Sequence, residues 1–254
     1  MLIDTHAHLT SPEIAHHVEE ILQRAKQNGI EKIVNICTDA VSLEKGLLLS
    51  QRYPWVFNTA ATTPHDVAEE GETFFPIVEH HVGSLVALGE TGLDYHYEHS
   101  PKEVQKKFLC RYLDLARQSK LPLIFHCRDA FSDLFALADA QGVQRAILHC
   151  FTGTEEEARG CLDRGWLISI SGIVTFKKSE ALRATVAKIP LDRLVIETDT
   201  PYLAPQSQRG KLNEPGYIKE TAQAVAQIKQ VSVEEVAAAT RHNAMQFFSF
   251  PKQS

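Results

Sequence analysis

Short apolar runs alternate with longer amphipathic stretches from one end of the chain to the other. The runs are "LIDTH" (2–6), "KIVNIC" (32–37), "VFNTAAT" (56–62), "SLVALGE" (84–90), "LPLIFHC" (121–127), "RAILHCF" (145–151), "WLISISG" (166–172) and "RLVIETD" (193–199). Val, Ile and Leu dominate them, and most are nearly continuous in apolar residues. Strands buried on both faces of a parallel sheet have this signature. Helical patterns lie between. "SPEIAHHVEEILQRAKQNG" (11–29) has Ser11 as an N-cap, Pro12 just inside the start and Gly29 at the end. "SPKEVQKKFLCRYLDLARQSK" (100–120) opens the same way, and "EEARGCLDRG" (156–165) closes on Gly165. The tail from about 213 to 248 reads as further helix.

Eight strands alternating with helices predict an α/β fold, a single (β/α)8 TIM barrel with extra C-terminal helices. No low-complexity linker or composition break divides residues 1–254, so one domain is expected. A doubly wound open sheet would want a glycine-rich phosphate loop after its first strand, and "HAHLTSPE" (6–13) stands there instead.

Composition narrows the class. The 254 residues are 44% apolar, enough for a core of barrel size. A net charge of −6 gives no basic footprint, so any nucleic-acid contact must be local. The five cysteines (Cys37, Cys110, Cys127, Cys150, Cys161) are scattered and form no CxxC pair, which predicts reduced thiols in a cytoplasmic setting. The start "MLIDTHAHLT" lacks a basic region and a long apolar run, and no segment approaches a membrane span. Several of the twelve histidines, His16 and His17, His80 and His81, fall in polar helical stretches and are expected to be solvated.

The remaining polar residues cluster where chemistry is expected. His6 and His8 are two apart, so on a strand both rings face one side. Barrels of this kind carry catalytic groups at the C-terminal ends of their strands. There the runs place His6 and His8 on the first strand, Glu90 on the fourth, His126 on the fifth, His149 on the sixth and Asp199 on the eighth. Six ligand-type side chains at one end of five strands would converge on the barrel mouth. Four imidazoles and two carboxylates exceed what one catalytic zinc takes and suit two divalent ions. Glu90 is placed to bridge them, with His6, His8 and Asp199 completing one site and His126 with His149 the other. Asp199 is also placed to accept a proton from an activated water. Such a mixed set accepts Mg, Mn or Zn.

The motifs "DTHAHL" (4–9), "GETGLDY" (89–95), "FHCR" (125–128), "HCFTG" (149–153), "ETDTPYL" (197–203) and "RGKLNEP" (209–215) resemble the TatD family of metal-dependent deoxyribonucleases, in that order along the whole chain. The resemblance implies a barrel of the metal-dependent hydrolase superfamily, activity on phosphodiester bonds and two divalent cations on His6, His8, Glu90, His126, His149 and Asp199. It also implies nucleic acid as substrate, single-stranded DNA ends in particular; apart from the resemblance, no membrane association and no obligate protein partner are expected. One departure stands out. The family's third strand usually ends in G-x-H-P-H, whereas this chain reads "AATTPHD" (60–66), so Thr63 replaces the first histidine and His65 keeps the second.

Other residues carry two readings each. Asp94 either orients a ligand histidine or caps the loop after "TGL". Arg128 either meets a phosphate or pairs with Asp129. Arg209 and Lys211 are expected to contact substrate from the loop after the eighth strand, with Asn213 as a cap for the final helices. Glu197 reads as a buried hydrogen-bonding partner inside the barrel or as support for a ligand. Cys127 and Cys150 flank ligand histidines and, by alternation, are expected to pack on the opposite face. The leading function is a two-metal phosphodiesterase with Glu90 and Asp199 catalytic and His65, Arg128, Arg209 and Lys211 binding substrate. The alternatives are a metal-dependent carboxylic ester or amide hydrolase on the same barrel, and a metal-holding or partner-binding protein with little turnover.

Overall fold

The computed structural model of the protein describes residues 1–248 and 250–251. Eight strands run in chain order, each hydrogen-bonded in parallel to the next. They are β1 (Leu2–Ala7), β2 (Ile30–Cys37), β3 (Val56–Ala60), β4 (Leu85–Asp94), β5 (Leu123–Arg128), β6 (Ala146–Leu148), β7 (Leu167–Ile170) and β8 (Leu194–Ile196). The helices between and after them are α1 (Val18–Gln27), α2 (Ala40–Arg52), α3 (Val67–His81), α4 (Lys102–Ser119), α5 (Phe131–Ala140), α6 (Glu155–Asp163), α7 (Glu180–Lys188), α8 (Ile218–Lys229) and α9 (Val233–Phe248). The (β/α)8 barrel expected from the alternating runs is the observed fold, and the helical tail is α8 and α9. No helix among the described residues is long and apolar enough to cross a membrane.

Closure brings the first and last strands together through the segment beyond β8. Ala7 bridges Thr200, the Asp199 amide donates to the His6 carbonyl at 2.9 Å, and the His8 amide donates to Thr200 O at 2.7 Å. Buried Asp4 ties the same seam, accepting from the Thr198 hydroxyl at 2.6 Å and its amide at 3.0 Å. The floor is closed differently. Val34, Ile36, Ile124, Ile147 and Val195 form an apolar cluster with Ala244, Phe247 and Phe248 of α9.

Two irregularities in the sheet fall on predicted ligands. Between Asp4 and Ala7, β1 has one residue more than β2, and between Leu88 and Thr91, β4 has one residue more than β5. Such bulges re-aim side chains beside functional sites; here they carry His6 and Glu90. Two glycines let β4 run this close to β5. Gly89 and Gly92 have φ of +151° and +149°, and a Cβ on Gly92 would sit 1.9 Å from the His126 carbonyl oxygen. Strand β4 therefore continues past Glu90 to Asp94, longer than its apolar run predicts.

Two helix starts differ from expectation because other hydrogen bonds claim the capping residues. Residues 11–14 form turns on the Ser11 carbonyl, a 3-10 turn spans Ala15–His17, and α1 begins only at Val18. Ser100 does not cap α4: its hydroxyl donates to His65 O at 2.8 Å and accepts from the Ala68 amide at 3.1 Å, stapling the loop after β3. His16, His17 and His80 are exposed, as expected.

Candidate metal centre

The six predicted ligands meet at the C-terminal mouth of the barrel. The Nε2 atoms of His6 and His8 are 3.3 Å apart, 3.4 and 3.8 Å from Glu90 Oε2, and 3.6 and 3.5 Å from Asp199 Oδ1. On the other side, Glu90 Oε1 lies 2.9 Å from both His126 Nδ1 and His149 Nε2, which are 3.3 Å apart. The His6 and His149 rings stack across the two halves at 4.0 Å. Donors about 2.1 Å from one tetrahedral ion stand roughly 3.4 Å from each other, so the spacing of each cluster fits a shared cation. Mixed imidazole and carboxylate donors fit zinc, manganese or a related divalent metal.

Backbone strain and buried polar contacts hold the predicted ligands. Asp199 adopts φ +60° and Cys150, next to His149, adopts φ +45°; residues other than glycine enter this region at a cost of roughly 1–2 kcal/mol, typically at functional sites. Asp94 makes contacts of both kinds read for it. Its Oδ2 lies 2.9 Å from His126 Nε2, while Oδ1 accepts from the amides of His96 at 2.9 Å and Tyr97 at 2.8 Å. Glu197 likewise serves two ends. It accepts from the Cys150 amide at 2.6 Å and the Ser169 hydroxyl at 2.5 Å inside the barrel, and stands 3.4 Å from His149 Nδ1. Carboxylates behind ligand histidines fix the ring orientation and raise the basicity of the ligating nitrogen.

The charges of the cluster shift one another. Burial pushes the Glu90 carboxyl up, but the charge on His149 and hydrogen bonds from His126, His149 and His6 hold it well below the usual range. Burial lowers His149, and Glu90 and Glu197 more than reverse that, leaving it well above the ordinary histidine value. Burial and the nearby His149 lower His6.

The profile of the family described as TatD related DNase matches residues 3–249. The chain belongs to this family. It is 38% identical to the metal-dependent hydrolase YabD of Bacillus subtilis over 98% of this chain and 99% of that protein. It is 33% identical, over the full length of both, to a protein of Citrobacter rodentium named 3'-5' ssDNA/RNA exonuclease TatD. Among solved structures, the TatD homologue YjjV of Escherichia coli K12 superposes with a TM-score of 0.93, at 27% identity and 98% coverage of both chains.

Around the cluster this TatD-family chain has an open cavity of about 630 Å³, lined by His8, Glu90, His126, His149 and Asp199 and also by His65 and Arg128. Thr63 occupies the departure from the family pattern. Its hydroxyl donates to Asp66 Oδ2 at 2.8 Å and accepts from the His65 amide at 3.2 Å, a local turn that aims His65 at the cavity. His65 Nε2 is 3.6 Å from Asp94 Oδ2. Arg128 does not pair with Asp129, which instead meets His96 Nδ1 at 3.2 Å; the Arg128 guanidinium lies 4.8 Å from the centre of the Tyr97 ring.

Arg209 and Lys211 lie outside the lining of the cavity. The former rests over the Phe176 ring at 4.4 Å and the latter donates to Gln208 Oε1 at 3.0 Å. Asn213 caps no helix. Its amide donates to Thr198 O and Tyr202 O, both at 2.7 Å, and so secures the loop carrying Asp199. Cys127 and Cys150 both line the cavity instead of facing wholly away, and at Cys150 a positive φ breaks simple alternation. Burial pushes both thiols up, which favours the protonated form. Tyr202, whose ring meets His8 edge-on at 5.8 Å, was not singled out by spacing; its signal in the sequence is an aromatic three residues after the carboxylate Asp199.

Proposed function

We propose that the whole chain works as one two-metal nuclease that hydrolyses phosphodiester bonds at the ends of single-stranded nucleic acid, DNA in particular. The observation that carries this reading is the division of Glu90, whose Oε2 faces His6 and His8 while Oε1 faces His126 and His149. His6, His8, Glu90 and Asp199 would hold one cation and Glu90, His126 and His149 the other, with Mg, Mn and Zn as the candidates. When bound, divalent cations would supply electrophiles for the phosphate oxygens and lower the pKa of a nearby water. Asp199 accepts the proton of the attacking water, its carboxylate held at the seam between β1 and β8. Glu90 keeps the two halves in register. Asp94 and Glu197 stop the His126 and His149 rings from turning. His65 and Arg128 orient the phosphate in the cavity, and Arg209 and Lys211 meet the strand farther out. Relatives named as single-stranded DNA/RNA exonucleases support the substrate class.

The test is to strip the protein, reload it with Mg, Mn or Zn, count bound metal, and follow end-labelled single-stranded DNA on a gel. Two equivalents of metal and stepwise shortening that disappears in Asp199→Asn are expected. Turnover of a small carboxylic ester with no cleavage of any oligonucleotide would replace this reading with the ester or amide hydrolase.

A further inference from the structure

Six large apolar side chains are conspicuously exposed among the described residues, and three of them, Tyr97, Tyr202 and Leu212, belong to loops that follow β4 and β8 at the mouth. Tyr97 is 52% exposed yet its ring is confined. His96 meets it edge-on at 4.8 Å, His99 lies at 5.5 Å and His65 at 5.8 Å. The Arg128 guanidinium sits 4.8 Å from the ring centre and its Nη1 donates to the phenol oxygen at 3.2 Å. Arg128 also lines the cavity, and among the described residues no carboxylate lies within ion-pair distance of it. A guanidinium that rests on an aromatic ring without a counter-carboxylate keeps its remaining N–H groups for an anion.

We propose that Tyr97 and Arg128 form a subsite for the nucleotide on the far side of the scissile phosphate, the second from the digested end. Its base stacks on Tyr97 and the phosphate beside it is met by Arg128. This rests on the nuclease reading and deepens it. The terminal nucleotide occupies the cavity, and Tyr97 stands just beyond the lining, next to His65 and Arg128, where the following base must pass. Aromatic faces beside cationic groups bind single strands without sequence preference, since every base has a π-face to offer. A base inside a duplex has both faces covered, so this rim selects an unpaired end. Asp94 fixes the distance between the two events. One oxygen of its carboxylate holds His126 and the other caps the loop through the Tyr97 amide, so platform and ligand cluster move as a unit.

The metal-loaded full chain, as wild type, Tyr97→Ala and Tyr97→Phe, is assayed on a single-stranded oligonucleotide carrying either thymidine or 5,6-dihydrothymidine at the second position. The saturated ring of the latter keeps the hydrogen-bonding groups but stacks poorly. Expected are a rise in KM of about tenfold for Tyr97→Ala with kcat nearly kept, and near-wild-type KM for Tyr97→Phe, in line with the usual worth of one stacked base. Dihydrothymidine should raise KM of the wild type by a similar factor and add little in Tyr97→Ala. As a second readout, 2-aminopurine at that position should be quenched on binding to wild type and less so on binding to Tyr97→Ala. An unchanged KM in Tyr97→Ala, or a dihydrothymidine penalty equal in both proteins, overturns the subsite and leaves the nuclease reading standing. Failure of the loaded wild type to cleave any oligonucleotide while it hydrolyses a carboxylic ester overturns both.

Discussion

At the floor of the barrel Val34, Ile36, Ile124, Ile147 and Val195 pack with Phe247 and Phe248 of α9, all buried and all apolar. At the mouth the same sheet ends in His6, Glu90, His126, His149 and, just past β8, Asp199, with two bulges and two residues at positive φ beside the ligands. The floor is satisfied by burial alone, which is non-directional. The mouth is satisfied only if particular atoms meet, because buried charge without a partner is expensive. Stability and chemistry are therefore separated along the barrel axis, and substitutions at the two ends should affect different measurements.

The largest effect is expected from Asp199→Asn. Asp199 is the proposed proton acceptor, and its loss should lower kcat about 1,000-fold, while the melting temperature stays within a few degrees. Asparagine tolerates φ near +60° as well as aspartate does. A large drop in stability instead would mean that the mouth also holds the fold. Phe248→Ala is the converse. Truncating a buried aromatic in the floor should cost about 3–5 kcal/mol in denaturant unfolding, with kcat of the folded, metal-loaded enzyme within about twofold of wild type. Loss of kcat in that variant at full folding would break the separation.

Asp94→Asn addresses the support of the mouth. Removing the carboxylate behind His126 should weaken metal binding about 10- to 100-fold by calorimetric titration, with little change in the melting temperature of the metal-free chain. The sign of the pH dependence of loading follows from the cluster. His149 and His126 are raised above the ordinary histidine value in the metal-free chain, and metal must displace their protons. Affinity should fall as pH falls through that raised range, and loading should release protons into the buffer.

The smallest effect belongs to the floor's rim, where Arg241 of α9 grips Glu31 at the start of β2 and donates to its Oε1 at 2.9 Å. The hydrogen bond from Arg241 holds the Glu31 carboxyl below its usual range against a smaller opposing effect of burial. The folded value is depressed, so the contribution is present above the ordinary glutamate pKa and disappears as pH falls through the lower folded one. Partly exposed as the pair is, Glu31→Gln should cost less than about 1 kcal/mol at neutral pH. The difference from wild type should vanish in acid melts.

The sequence by itself determined the eight-fold alternation, because buried parallel strands must be apolar on both faces and their connecting helices must be amphipathic. It also determined which candidate ligands close the strands and at which end, since a polar residue closing an apolar run is conspicuous. What only the tertiary structure decided are the meetings between distant segments. Asp199 reaches His6 because the chain beyond β8, not β8 itself, closes the barrel. Glu90 faces both clusters because a bulge, permitted by Gly89 and Gly92, turns it inward. Ser100 reads locally as a helix cap and Asn213 as another, yet each binds a loop that only folding brings near. Local propensity is a matter of tenths to about 1–2 kcal/mol at a cap, and a buried backbone group left without its partner costs at least as much. Where the two compete, the distant contact prevails, and a linear reading has no means of knowing which loop will arrive.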